Sequence, residues 1–516
     1  KKDESSYFIV DKNDTSLKNH ERTLNMPIPQ LSPGCTIEIV STKILGNYDC
    51  FPFVERILSG TYPILNSMVY VLGDAAKYSL KAENGVEIVP FNKGKMAYAY
   101  APMIYQREPN QLPFQMFLPC VHINGIGKNW AAQGEDYLEK IQSKLNITND
   151  IKALAKGLIN KNDDNNAKIA KLYNYLQNHY KYLGIEFGSR GEMPYDASKT
   201  VNNKYGDCKD HAVLFHHLLK GVGIQNYLTL LNSTHPLQKE MPSRDQFDHM
   251  INYIPGQNAR FIDTTDKNSA TNLLPPTYLA GREALVLEPG NVHFLRIPDY
   301  NTQDTIINVH RCSYILDKIL HVEETIKING HHAAFMRLLL KNKNIEEQQD
   351  WGQSLVQAYY PSGTLEKFEV KNLMKNDEVL IIDCLYAVSG RLYALKNKII
   401  VNTTGIWESY YLLSEPANNR KTKFEIKIPF QFSSDNEIKL SEGFEVGEYP
   451  KDHLSSETEF GSFDMKFDNN KRKLKYQLQL TAVNGVFSKD KYQAYYQFMQ
   501  NALTAASPHI TLLKSN

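Results

Sequence analysis

Two periods divide the chain. Apolar and polar residues alternate with period two through much of the first 130 residues and again beyond about residue 300, whereas apolar residues recur at helical spacing through much of the stretch between. In the first part, Thr36–Thr42, Met68–Leu72 and Val86–Pro90 predict strands, and Glu83-Asn84-Gly85 predicts a tight turn. After Asn129-Trp130 the pattern changes. Tyr137, Leu138, Ile141 and Leu145 share one helical face, and so do Ile169, Leu172, Tyr173 and Leu176, with Asp164 placed to cap the second helix. The polar run Asn160–Asn166 reads as a loop between them.

A third helix is predicted from Cys208 to about Lys220, with Val213, Leu214, Leu218 and Leu219 on one side and Gly221 and Gly223 as its stop. Short apolar runs at 226–231, 248–254 and 259–263 then predict strands, the last two joined by a turn at Pro255-Gly256-Gln257-Asn258. Glu288-Pro289-Gly290 marks a boundary. Beyond it, Phe424–Ile428 and Lys473–Leu480 alternate as strands with one wet face, and 388–392 and 467–471 are hairpin candidates. Helical segments at about 345–359 and 489–503 interrupt these strands. The expected architecture is α+β and multidomain: a β-rich domain over about residues 1–130, an α+β core over 131–290, and a β-sandwich-like domain with two helices over 291–516.

The chemistry concentrates in the middle part. Tyr205-Gly206-Asp207-Cys208-Lys209-Asp210-His211 is a turn that delivers a cysteine to the first turn of a helix. Amides and the macrodipole at that end favour an anion, and so favour a thiolate. Asp207 and Asp210 read as helix-start chemistry. Phe247-Asp248-His249-Met250 supplies a base, and Arg260-Phe261-Ile262-Asp263-Thr264 supplies a carboxylate to orient it. Cysteine, histidine and aspartate in that order suit a thiol acyl-transfer site. Each alone has a plainer reading: a packed cysteine, a strand histidine, a turn aspartate.

Geometry adds a condition. Residues on paired antiparallel strands share a face only when opposite or two apart. A three-residue loop at 256–258 pairs Ile251 with Asp263 and sets His249 diagonally beside it on the same face. A plain two- or four-residue loop separates them. The triad therefore requires an odd loop or a bulge.

GDCKDHAVLFHHLLKGVGI, FDHMINYI and FIDTTD together resemble the three core motifs of the bacterial transglutaminase-like superfamily, related to papain-like thiol enzymes, over roughly residues 165–290. The resemblance implies Cys208 as nucleophile, His249 as base and Asp263 as its partner. It also implies a papain-like core flanked by two mainly-β domains. Pro33-Gly34-Cys35-Thr36-Ile37-Glu38 more loosely resembles part of a β-rich domain of unknown function that precedes such cores. There are departures. Thr264 stands where the family usually has proline, Met250 replaces an aromatic residue, and the loop 188–195 has no glutamine. The second oxyanion donor beside the Cys208 amide is left among Tyr195, Tyr205, Asn202 and Asn203.

Bulk properties narrow the alternatives. A net charge of +1 and a pI near 7.7, with no basic run interleaved with aromatics, give nucleic-acid binding little support. No apolar run approaches a bilayer-spanning length. The six cysteines show no CxxC pair, so neither a zinc knuckle nor a dense disulfide framework is expected, although Cys35 and Cys50 are spaced to bridge. Cys208, Asp210, His211, His216 and His217 crowd one helix, but no pair has the i,i+4 spacing of a helical two-histidine metal site. The chain starts Lys1-Lys2-Asp3, consistent with removal of a secretory signal, and the resembled architecture is commonly exported, so a periplasmic or secreted location is expected.

The expected function is thiol-dependent acyl transfer on a protein, peptide or cell-wall peptide, most simply as a cysteine peptidase or amidase, with no metal or organic cofactor. A cross-linking transglutaminase and a non-catalytic transglutaminase-like binding module are the alternatives. Oligomeric state is left open.

Overall fold

The computed structural model describes residues 8–11, 22–25, 32–40, 52–60, 62–100, 104, 106–184, 191–270, 275–390, 392–395, 398–403, 405–412, 415–416, 419–440, 442–450, 453–469 and 473–514. The N-terminal part packs two small antiparallel sheets over one apolar core. Strands Asn66–Leu72, Glu87–Phe91 and Gly94–Tyr100 form one sheet, and Val54–Ile57, Tyr78–Glu83 and Cys120–Gly125 the other. Val71, Ala97, Val121 and Ile123 meet between them. The turn at Asn84-Gly85 takes the expected left-handed backbone, φ 54 and 86. The strand expected at Thr36–Thr42 does not form over residues 36–40, which are exposed and irregular, and its last two residues lie outside the described set. Strand Cys120–Gly125 is buried on both faces: Val121 and Ile123 point into the apolar core, while Cys120, His122 and Asn124 point the other way.

The central part is a five-stranded antiparallel sheet with helices packed on it. Its strand order is Arg260–Ile262, His249–Ile254, Tyr227–Leu231, Glu283–Val286, His293–Arg296. Asn129 and Asp164 cap helices Trp130–Ile141 and Asn165–His179 through their side chains, as their residue types favour. A helix at Asn149–Gly157 adds to the expected set. Helix Cys208–Gly221 is not amphipathic; only His216 and Lys220 escape burial. It runs through the middle of the domain, between Ile151, Leu172 and Leu176 on one side and Leu228, Met250 and Leu285 on the other.

The C-terminal part is an eight-stranded sheet ordered Gly363–Lys371, Leu380–Val388, Ile319–Ile328, Ile306–Leu316, Phe430–Lys439, Lys473–Ala482, Gly461–Asn469, Leu454–Thr458. A four-stranded sheet and helices share its core. Strand Lys473–Ala482 buries alternate residues, as its period-two pattern requires. Two expectations need correction. Four helices, not two, are described here: Gly330–Leu340, Ile345–Tyr359, Ile406–Leu412 and Tyr492–Ala505. The segment 388–392 is no hairpin, because Leu380–Val388 and Leu392–Leu395 belong to different sheets. The hairpin expected at 467–471 does form, pairing Asn469 with Leu474. No helix among the described residues is long and apolar enough to cross a membrane.

One ionic cluster lies inside the eight-stranded sheet's core. Arg311 Nε donates to Glu324 Oε1 at 2.6 Å and its other nitrogens reach Glu408 and Asn436, all of them buried. Removing the cation strands two carboxylates away from water. Arg311→Met is expected to cost about 3–5 kcal/mol in urea unfolding, and adding Glu324→Gln and Glu408→Gln is expected to recover most of that loss.

Candidate active site

The turn before the Cys208 helix is built by two aspartates. Asp207 caps the helix, its Oδ1 accepting the Lys209 and Asp210 amides at 3.1 and 3.2 Å, while Asp210 Oδ2 accepts the Asp207 amide at 3.1 Å. This reciprocal box fixes the first turn, and with it the Cys208 sulfur. Lys209 Nζ stands 3.1 Å from Asp207, both side chains buried. Asp210 Oδ1 also accepts the Tyr195 amide at 2.6 Å and so ties the preceding segment to the same turn.

The helix histidines act as pegs. His211 places its two ring nitrogens 3.2 Å from the Thr264 and Lys181 carbonyls; His216 bonds Asn226 and His217 bonds the Lys144 carbonyl, each at 2.9 Å. Burial pulls the His211 and His216 ring pKa values down to about 4, which suits neutral packing groups. Asn252 on the neighbouring strand donates to the Ala212 carbonyl at 3.0 Å. The helix is thereby locked to the strands that carry the histidine and the aspartate.

Those strands have the required register. Asn252 pairs with Ile262, Tyr253 with Phe261 and Ile254 with Arg260, so the connection 255–259 is odd in length and keeps the register that a three-residue loop at 256–258 sets. Gly256, at φ 120, gives that loop a backbone that favours glycine. Continued one step, the register sets Ile251 opposite Asp263, so His249 lies diagonally beside the aspartate on the same face. His249 Nε2 is 2.9 Å from Asp263 Oδ2. The Cys208 side chain is the imidazole's other hydrogen-bonding neighbour, and Nδ1 is the ring nitrogen left for it. The structure therefore brings Cys208, His249 and Asp263 into one continuous contact.

Asp263 is almost wholly buried, which disfavours its charge, yet His249 and Thr265 hold its carboxyl down at about 2. Thr265 supplies two bonds to Oδ1, from its amide at 2.9 Å and its hydroxyl at 2.7 Å, and Tyr278 donates to Oδ2 at 3.0 Å. Burial likewise opposes charge on His249, but the Asp263 carboxylate and the Cys208 sulfur outweigh it and raise the imidazole well above its ordinary value. The favoured state is an imidazolium beside the sulfur.

A cleft of about 320 Å3 opens over the sulfur, lined by Tyr137, Gly191, Glu192, Cys208, Lys209, Leu230, Arg244, Asp245, Phe247, Asp248, His249 and Met250. Tyr195, Tyr205, Asn202 and Asn203 are not part of that lining. Tyr195 instead lies under the Lys199 ammonium, and Tyr205 pairs with Lys181. Residues 188–190 of the upstream loop lie outside the described set, as does Cys50. Three residues that matter here, Tyr278, Thr265 and Arg244, escape a reading of the sequence. Only Thr265 leaves a local trace, since an aspartate two residues before a threonine suits an Asx turn.

Comparisons with known proteins bear on the family and the fold. Residues 152–228 match the model of the transglutaminase-like superfamily, a stretch that includes Cys208, and residues 394–512 match DUF3858, a domain of unknown function with a solved structure. A crystal structure of a "putative protease" from Parabacteroides distasonis is 12% identical and superposes with a TM-score of 0.62, over 99% of this chain and 85% of that one, so the two share a fold. A "putative cysteine protease" from Cytophaga hutchinsonii is 15% identical over 38% of this chain and 66% of that one, with a TM-score of 0.19. No curated protein matches the sequence. The central part of the chain is thus an α+β fold of which residues 152–228 match the transglutaminase-like model.

Two outcomes test the pair. A carboxyl lowered from its ordinary 3.8 to about 2 adds stability that is present above pH 4 and lost as pH falls through 2, on the order of 2 kcal/mol. An imidazole raised above 6.5 adds stability that is present below 6.5 and lost as pH rises through its raised value. Asp263→Asn is expected to flatten both limbs of a urea-stability profile and to drop the His249 titration, read by NMR, towards or below 6.5. Deleting Gln257 is expected to shift the strand pairing by one, turn Asp263 to the opposite face and lower the His249 titration in the same way.

Proposed function

We propose that the chain is a thiol-dependent acyl-transfer enzyme, a cysteine peptidase or amidase that uses Cys208, His249 and Asp263. The observation that carries this reading is that His249 bonds Asp263 at 2.9 Å, interacts with the Cys208 sulfur, and lines the same cleft as that sulfur. The same order of groups activates a nucleophile in thiol enzymes generally.

The steps follow from the charge state. The Cys208 sulfur attacks an amide carbonyl carbon, forming a C–S bond and moving the carbonyl electron pair onto oxygen. The first-turn amides of the Cys208 helix favour negative charge there. As the tetrahedral species collapses, the C–N bond breaks and the His249 imidazolium protonates the departing amine. Asp263 holds the ring orientation by accepting from Nε2. Water, deprotonated by the now neutral His249, then attacks the thioester and releases the acid, and Cys208 leaves as thiolate. No metal or organic cofactor takes part in these steps.

Hydrolysis is preferred to cross-linking because the rim of the cleft carries the exposed side chains of Asp245 and Asp248, which bring solvent next to the thioester. Substrate peptides of the periplasm or cell exterior, including cell-wall peptides, remain the class we favour.

Iodoacetamide labelling separates an enzyme from a binding module. At pH 5–6 Cys208 is expected to react at least about tenfold faster in the native chain than in His249→Ala, by peptide mass spectrometry. Equal rates would assign the fold to binding rather than catalysis. With an acyl-amide reporter and a primary amine present, free acid is the expected product, amine incorporation would mark a transglutaminase, and Cys208→Ala abolishes both.

A further inference from the structure

A second constellation lies away from Cys208, on the side of the N-terminal sheet that faces the central domain. Glu55 pairs directly with His122 across neighbouring strands, and Cys120 is two residues before His122 on the same strand, so all three side chains share one face. One ligand atom from each of Glu55, Cys120 and His122 lies within 4.8 Å of the other two. Cys120 and His122 are buried, and the Glu55 side chain is 18% exposed.

His122 decides what this cluster is for. Its Nε2 is 3.1 Å from Glu83 Oε2, a carboxylate acceptor that favours the proton on that nitrogen over acceptance from the Gln238 amide nitrogen 3.3 Å away. The lone pair then sits on Nδ1, a buried atom with no hydrogen-bond partner, 3.5 Å from Glu55 Oε2. A lone pair, a carboxylate oxygen and a thiol sulfur thus share one buried face. His235, from the central domain, repeats the pattern. Its Nδ1 lies 3.3 Å from the Pro236 carbonyl, and its Nε2 points at the other Glu55 oxygen from 3.8 Å. A carboxylate or carbonyl on the outer nitrogen is the usual outer partner of a metal-bound histidine.

The geometry points to a divalent-metal site of zinc's class formed by Cys120 Sγ, His122 Nδ1, the Glu55 carboxylate and His235 Nε2. Ligands around a tetrahedral ion with bonds of about 2.0–2.3 Å stand roughly 3.3–3.8 Å apart, and the Glu55–His122 and Glu55–His235 separations of 3.5 and 3.8 Å match that spacing. Cys120 Sγ already lies within 4.8 Å of the Glu55 and His122 ligand atoms, and closing the shell brings His235 inward to join them. Binding takes a proton from the Cys120 thiol to solvent and forms four coordinate bonds with no change of oxidation state. Four protein ligands leave no open position, so the ion is structural. It joins the N-terminal sheet to the segment that runs from Asn232 to His249 and carries Arg244, Asp245 and Asp248 into the cleft wall.

Cobalt reports such a site directly. The full chain carrying Cys208→Ala, so that the thiol of the Cys208 cleft is silent, is stripped with a chelator and titrated with Co2+ alone. One cobalt per chain is expected, with a thiolate-to-cobalt absorption band that Cys120→Ser removes. Glu83→Gln, which alters only the outer partner of His122, is expected to weaken binding about 10–100-fold. His235→Ala, at the half-buried edge of the cluster, is expected to weaken it at least as much. Absence of stoichiometric cobalt, or a band that survives Cys120→Ser, overturns the site and leaves His122 as a packing histidine between Glu55 and Glu83. If Cys120→Ser does not fold, Glu83→Gln and His235→Ala decide: unchanged affinity in both overturns the site.

Discussion

The buried bond between His249 and Asp263 is the constraint around which the central domain is organised. A carboxylate with almost no exposure is stable only if its oxygens are met by donors, and four donors meet this one: His249, the amide and hydroxyl of Thr265, and Tyr278. Removing any of them makes the carboxylate harder to keep charged, and its charge is what raises the imidazole. The bond also requires that two strands keep their register, because a slip of one residue sends the aspartate to the other face. A three-residue loop is therefore as much part of the site as the side chains are.

The sulfur is held by a different kind of order. The Cys208 helix is buried nearly all round, so its rotation and height cannot drift, and its polar side chains serve the same end. Asp207 and Asp210 close its first turn, while His211, His216 and His217 bond to carbonyl or amide oxygens of neighbouring segments. His211 is the most telling, since its contact with the Thr264 carbonyl ties the nucleophile helix to the residue next to Asp263. Tyr173, reaching the Asp263 carbonyl at 3.1 Å, adds a second tie from another helix. Placement of the sulfur against the imidazole is thus set by backbone anchors on both sides.

What the sequence disclosed follows from how local the cause was. Helix starts at Asn165 and Cys208 were legible because a capping aspartate precedes each, and the 249–263 hairpin was legible because short apolar runs flank the turn Pro255-Gly256-Gln257-Asn258. The face shared by His249 and Asp263 followed from loop length alone. Tyr278 and Arg244 were not legible, since each comes to the site through packing against residues far along the chain. Helix Gly330–Leu340 was hidden because its apolar residues lie on more than one side and leave no clean period. Segment 388–392 has a hairpin's composition, but its flanking strands find better partners in two different sheets.

The N-terminal sheet explains why a core of this kind carries a flanking domain. The segment between Asn232 and His249 has little regular structure of its own, yet it forms one wall of the cleft and leads directly into the base. Its shape is supplied from outside: Asn124 and Gln133 donate to the Pro242 carbonyl, Trp130 to the Lys239 carbonyl, and the Phe53 amide bonds Asp245 at 3.1 Å. Strand Cys120–Gly125 turns polar side chains towards this segment, which is why it is buried on both faces while only one of them is apolar. A loop that must present Arg244, Asp245 and Asp248 at fixed positions would pay a large ordering entropy alone. Docked on a sheet, it keeps that geometry, and the shape of the cleft over the sulfur becomes a property of two domains rather than one.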